Sequence, residues 1–351
     1  MNRTYYLLFW PLFGYLVFGQ TPAFAESSSW FQKSDEAAPK KTAPAGPAPS
    51  AKPSSSEIQK TVPSTVPLTG DDAAYTAFDQ GQYLTALKLA NEAASHGDPQ
   101  AHTLIARIYA EGLGVPKDEK AAINWYTRAT ELGDIPATFS LGLMLAEGRG
   151  VPKNREAAAK LFEKAALTGH ALANYNLGLL FLKGDGKPEN PIRAAQHIRY
   201  AAEKGIAEAQ YDLAALYQKG EGVDANAVEA ARWLSRAAEQ GYAAAQFDYA
   251  VTLLKGMGLT RDEPKAVPYL KAAAEKGLAG AQNRLAYVYL EGIGTDKNPV
   301  EAAKWRLIAQ KSGIEDKKLD EVVAKLSKTD HASATKAASE WADRIQVQTA
   351  E

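Results

Sequence analysis

The chain contains no cysteine. That excludes disulfides, iron–sulfur clusters, thiolate zinc sites, a cysteine nucleophile and a lipid anchor on cysteine. It also lacks a charge excess. Forty Lys and Arg face 41 Asp and Glu, a net charge of −1. A protein that reads phosphates normally carries a basic surplus, so nucleic acid is not the expected partner. A polybasic membrane clamp is equally unsupported. Histidine is scarce, with five in 351 residues, His96, His102, His170, His197 and His331. No two lie four apart, so no helical metal pair is available. There is no Gly-x-x-x-x-Gly-Lys-Ser/Thr loop, no His-Glu-x-x-His and no Gly-x-Ser-x-Gly. The common signatures for phosphate binding, zinc hydrolysis and serine catalysis are therefore missing. No catalytic residue, metal ligand or cofactor is expected.

What is present begins with an export signal. Arg3 supplies positive charge, and residues 4–19 form an apolar stretch broken by Pro11, Gly14 and Gly19. Ala23-Phe24-Ala25 is a small-x-small site, which predicts cleavage after Ala25. The stretch is shorter than the roughly 20 residues a spanning helix needs. Retention as an uncleaved anchor is the alternative. The expected destination is the periplasm of a Gram-negative cell, with no integral membrane segment after cleavage. Residues 26–70 follow with nine Ser, seven Pro and six Ala and no apolar period. This composition predicts a disordered linker, reaching roughly 35–40 Å as a flexible coil.

From residue 71 the chain repeats. Gly-x-Gly pairs begin at Gly112, Gly148, Gly184, Gly220, Gly256 and Gly292, always 36 apart. A second column runs Gly97, Gly133, Gly169, Gly205, Gly241, Gly277 and Gly313 at the same interval. A length of 351 would suggest two domains, but six units fill residues 98–313 as one array. An alanine column (Ala101, Ala137, Ala173, Ala209, Ala245, Ala281) is followed by large apolar columns four and eight residues on. Steps of four mark a helix, here called helix A, which Gly-x-Gly ends. Next stands a column of only Asp and Asn: Asp118, Asn154, Asn190, Asn226, Asp262 and Asn298. Those residues predict the N-cap of a helix B, with Pro191 and Pro299 immediately inside it. Helix B carries Ala columns on either side of Trp125, Leu161, His197, Trp233, Tyr269 and Trp305. His197 reads as a packed substitute for an aromatic. Pro268 is expected to kink or tighten the fifth helix B. Residues 71–97 form a shortened leading unit, and 314–351 read as terminal capping helices and tail. Each hairpin cannot bury its own face, so stacked neighbours must do it.

These residues resemble the Sel1-like repeat, a relative of the tetratricopeptide repeat. The run AEGLGVPKDEKAAINWYTRATELG (Ala110–Gly133) and the run YQKGEGVDANAVEAARWLSRAAEQGYAAAQ (Tyr217–Gln246) carry the likeness. The third unit departs at Lys187-Pro188 and His197, the fifth at Leu259-Thr260. The resemblance implies an all-α, right-handed α-solenoid of period 36. It also implies an adaptor that assembles protein complexes. Exported bacterial members of that kind resemble regulators of envelope sensors or host-contact factors.

Alignment with a tetratricopeptide helix A puts two columns on the concave face. The first is Thr103, Phe139, Tyr175, Tyr211, Phe247 and Asn283, at about 200° on a helical wheel with the Ala column at zero. The second is Arg107, Leu143, Leu179, Ala215, Val251 and Tyr287, at about 240°. Between them runs a mostly polar column that includes Asn176, Asp212 and Asp248. Phe139, Leu143, Tyr175, Leu179, Tyr211, Phe247 and Val251 are the candidate partner-binding residues. They would make an amphipathic groove for a peptide or a partner helix of an envelope protein. The alternative is that the rings pack against the neighbouring helix A and stay buried. As a function, the leading reading is an exported scaffold that serves an envelope signalling or assembly complex. A structural tether at the cell wall or outer membrane is the second. A hydrolase of cell-wall peptides or β-lactams is the third. Cysteine-rich Sel1-like proteins resemble penicillin-binding proteins, but this chain has none of their cysteines.

Overall fold

The computed structural model describes residues 70–350, with side chains from Ala73 through Ile345. The predicted signal and most of the linker lie outside the described residues. Among those described there are sixteen helices and no strand, arranged in consecutive hairpins. The leading hairpin is α1 (Gly70–Asp79) and α2 (Tyr83–Ser95), joined at Gly81 with φ 73°. Six units of two 13-residue helices follow. They are α3 (Pro99–Glu111) with α4 (Glu119–Glu131), and α5 (Ile135–Glu147) with α6 (Arg155–Leu167). Then come α7 (Ala171–Lys183) with α8 (Pro191–Glu203), and α9 (Ala207–Lys219) with α10 (Ala227–Glu239). The array closes with α11 (Ala243–Lys255) and α12 (Glu263–Glu275), then α13 (Ala279–Glu291) and α14 (Pro299–Lys311). Two capping helices, α15 (Lys317–Ala324) and α16 (Lys328–Ala350), end the stack. From α1 to α15 each helix packs on the next in sequence, which makes an α-solenoid, and α16 packs back on α14.

The recurring residues set this geometry. Every helix A stops on a left-handed glycine, Gly112 through Gly292, with φ from 65° to 80°. Every helix B opens under its Asp or Asn. Asp118 accepts from the Ala121 amide at 2.9 Å, and Asn298 accepts from Glu301 at 3.0 Å. The second glycine of each turn has a different duty: it lies on the start of the preceding unit's helix B. At Gly186 an added Cβ would sit 2.5 Å from the Arg155 carbonyl oxygen, and at Gly222 it would collide with the Pro191 carbonyl. The Ala columns are wholly buried, from Ala101 to Ala281 and from Ala122 to Ala309, and let helix backbones approach. Phe162, Ile198, Leu234 and Leu270 fill the space between units. Each contributes about 1.5–3 kcal/mol by leaving water. α12 runs unbroken through Pro268, whose ring is exposed. The bond that proline forfeits would end on Pro264, itself exposed in the first turn, so water can serve that carbonyl.

The last unit differs at one point. The column Tyr126, Phe162, Ile198, Leu234 and Leu270 ends in Arg306, which is 1% exposed. Its guanidinium donates to both oxygens of Asp320 at 2.6 and 3.0 Å, to Asn283 Oδ1 at 3.1 Å and to the Ile314 carbonyl at 2.8 Å. Asp316 caps α15 and accepts from Asn283 and Tyr287. The Trp341 ring meets Trp305 edge-on at 6.1 Å. The capping helices are thus fastened by a buried guanidinium and aromatic packing, where each earlier unit carries a large apolar side chain in the same column.

Candidate functional site

Burial along helix A separates two faces. In α9, Ala209, Gln210, Leu213, Ala214 and Leu216 are buried, while Glu208, Tyr211, Asp212, Ala215, Gln218 and Lys219 are open to varying degrees. In α11, Ala244, Phe247, Asp248, Val251 and Lys255 make the same open face. The unit spacing brings these faces side by side into one surface.

The seven candidate residues divide on this surface. Phe139, Leu143, Tyr175 and Leu179 are buried. Phe139 lies 4.7 Å from the His170 ring and 5.7 Å from Phe162, which close over it. Tyr211, Phe247 and Val251 are half-buried and remain accessible. Tyr211 leans on Tyr242 at 5.3 Å, and Phe247 stands beside the bare backbone of Gly280. The open apolar floor therefore lies in units four and five. In units two and three the rings belong to the packing between helices A.

The polar column carries a register between units. Tyr175 donates its hydroxyl to Asp212 Oδ2 at 2.8 Å, and Tyr211 donates to Asp248 Oδ2 at 2.8 Å. Both bonds span 37 residues, one period and one residue. Where the aromatic lacks a hydroxyl, the residue 37 further on is not an acid. Phe139 pairs in this register with Asn176, and Phe247 with Arg284. Burial pushes both Asp212 and Asp248 up to about 6, against the opposing pull of their tyrosine hydrogen bonds. The same burial, with the adjacent carboxylates, holds the Tyr175 and Tyr211 phenols far above their ordinary range. Two partly desolvated carboxylates on this open face are costly to keep for stability alone.

Other features of the sequence reading are structural. His197 stacks on Phe181 at 5.8 Å and shares a hydrogen bond with Asn174 Oδ1 at 2.9 Å. Burial, and then Arg193, lower its basicity. The residue before each helix A is a cap in the first three units: Asp98, Asp134 and His170 each accept a backbone amide. From the fourth unit on it is apolar, Ile206, Tyr242 or Leu278. Among the described residues no group of three metal-ligating side chains gathers, and no helix is long and apolar enough to cross a membrane.

Comparison with known proteins agrees with this architecture. The family model described as Sel1 repeat matches residues 99–134, 135–170, 171–206, 207–242, 243–278 and 279–306. A Sel1 repeat protein from Oxalobacter formigenes, known from a crystal structure, is 31% identical over 70% of this chain and 99% of its own, with a TM-score of 0.62. The crystal structure of c5321, a protective antigen of uropathogenic Escherichia coli with an SLR fold, is 24% identical. It covers 78% of this chain and 68% of its own, with a TM-score of 0.49. No curated protein matches the sequence.

Proposed function

The chain belongs to the Sel1 repeat family, and from that premise we propose that it is an exported, non-catalytic scaffold that holds a partner protein on the open face of its helices A. Sel1 repeats mediate protein–protein interaction, and stacked units offer the extended surfaces such binding uses. The observation that carries the reading is the continuous face of α9 and α11. There Tyr211, Phe247 and Val251 stay half exposed beside Asp212 and Asp248. Aromatic side chains with polar neighbours are the usual anchors of interfaces. The export-type leader supports a periplasmic site of action, and an envelope protein or one of its segments as the partner.

Photocrosslinking in cells tests this. A benzophenone side chain replaces Phe247, and a control replaces Glu203, exposed at the end of α8. The expected result is one envelope protein captured from position 247 and none from 203. Tyr211→Ala should reduce that capture at least tenfold while the protein stays folded. Equal capture from both positions, or none from either, refutes the helix-A face as the binding surface.

A further inference from the structure

Trp30 and Phe31 are the only aromatic residues between Phe24 and Tyr75, and they stand side by side. The sequence around them is rich in Ser, Pro, Ala and Lys, the composition of a spacer. A spacer gains nothing from two large rings, which are unfavourable for as long as they face water. Lys33 follows Phe31 at two residues. With cleavage after Ala25, all three fall close behind the new amino terminus.

The open helix-A face offers a seat for that sequence. Val251 on α11 is half-buried, as are Phe247 on the same helix and Tyr211 on α9. Asp248 stands one turn before Val251, and such positions lie about 5–6 Å apart. The two recessed aspartates differ in company. Lys183 and Lys219 act on Asp212. Among the described residues no cation acts on Asp248, whose carboxylate accepts from the Tyr211 hydroxyl alone. In an extended chain, residues two apart project to the same side with about 6.6 Å between them. Phe31 placed on Val251 therefore brings Lys33 to Asp248. Trp30 projects to the other side and covers the seat from water.

The length of chain fits the distance. Phe31 precedes Gly70 by 39 residues. As a coil, a connection of that length spans roughly 30–40 Å on average. α9 and α11 are the fourth and fifth helices A after α1. At about 8–10 Å between neighbouring helices, they lie roughly 32–50 Å along the array. A tether whose average span matches the gap gives the highest effective concentration, in the millimolar range. Tethering matters here, because two rings and one ion pair bury far less than the roughly 800 Å² a side of a stable separate complex.

We propose that residues 30–33 of the exported chain dock on the helix-A face of units four and five, Phe31 on Val251 and Lys33 on Asp248, and hold that face closed until a partner displaces them. This rests on the reading of the face as the partner site.

The test uses the chain from Glu26 to Glu351. It has no cysteine, so Ala215→Cys, on the α9 crest beside the seat, gives a single thiol. Maleimide labelling followed by intact mass reads its accessibility. Adding Trp30→Ala with Phe31→Ala should speed labelling at least threefold, and Lys33→Glu by a smaller factor. A thiol at Lys120→Cys on the turn edge should label at the same rate with either tail. These tail substitutions lie outside the repeats, so the solenoid folds in every variant. In a second measurement, a benzophenone side chain replaces Phe31 in an equal mixture of isotope-labelled and unlabelled chains. Crosslinks should fall within one chain, on α9 or α11. Equal labelling rates with and without the rings overturn the proposal. So do crosslinks between chains, or onto exposed Ile192 and Val228 at the turn edge. The same tail variants separate this inference from the scaffold reading. A partner captured in cells from position 247, with equal labelling rates, leaves the scaffold standing and refutes the docked tail. Protection of the thiol with no partner captured does the reverse.

Discussion

Replacing Asp212 and Asp248 by asparagine should make the protein more stable near neutral pH. Each carboxyl rises from an ordinary 3.8 to about 6 in the folded chain, chiefly through burial. The folded state therefore binds more protons than the unfolded state between those values. Stability is full below about pH 4 and declines as pH climbs through 6. A rise of about two pH units corresponds to about 3 kcal/mol per group. Both side chains touch the open face, where solvent softens the penalty, so about 1–2 kcal/mol each is the working figure. Asparagine keeps an oxygen for the tyrosine hydroxyl and carries no charge. It also gives up the attraction of Lys183 and Lys219 for Asp212. Urea unfolding at pH 4.5, 5.5, 6.5 and 7.5 reads the result. The double variant should gain about 2–4 kcal/mol over the parent at pH 7.5 and little at pH 4.5, with a flatter profile between. Equal stability at pH 7.5, or a gain that is the same at every pH, would refute the reasoning. The first outcome would mean that the carboxylates are well solvated, the second that packing and not ionisation is responsible.

Arg306→Ala should leave Asn283 Oδ1 and the Ile314 carbonyl without their donor and cost about 2–3 kcal/mol, since Asp320 is exposed enough to turn to water. Hydrogen exchange should show α15 and α16 losing protection while α3 to α10 keep theirs. Gly222→Ala should cost well over the roughly 1 kcal/mol of left-handed strain, because its Cβ meets the Pro191 carbonyl. Gly205→Ala, with φ 91° and open space around it, should cost only that strain in the same thermal melt. Expression of the full sequence in a Gram-negative host should release a mature chain starting at Glu26 into the periplasmic fraction. Intact mass checks this, and a retained leader in the membrane fraction would refute cleavable export.

Much of the solenoid is legible in the sequence because its determinants are local. A left-handed glycine or an Asp at a helix start acts within one turn of chain, and the 36-residue period copies it. The pairing of Tyr175 with Asp212 was hidden for the opposite reason. It joins residues 37 apart across two units, one in the aromatic column and one in the polar column, and neither column alone shows the link. The register was nonetheless present, since each Tyr is followed by Asp and each Phe by another type. The burial of Phe139 depends on His170, which lies in the next unit, so a wheel of helix α5 alone cannot give it. The caps Asp98 and Asp134 carried a readable signal, an aspartate after glycine at a helix start. Arg306 was readable too, as the one charge in a column of large apolar residues.

That arginine has a consequence for how such a chain changes length. At every junction before it the same column presents a large apolar side chain, so a duplicated 36-residue unit would find similar neighbours on both sides. Only the final unit puts a charge in that column, and its four hydrogen bonds reach α13, the Ile314 carbonyl and α15. Units can be gained or lost upstream while the terminus remains the same. The number of repeats, and with it the length of the open helix-A face, is free to drift.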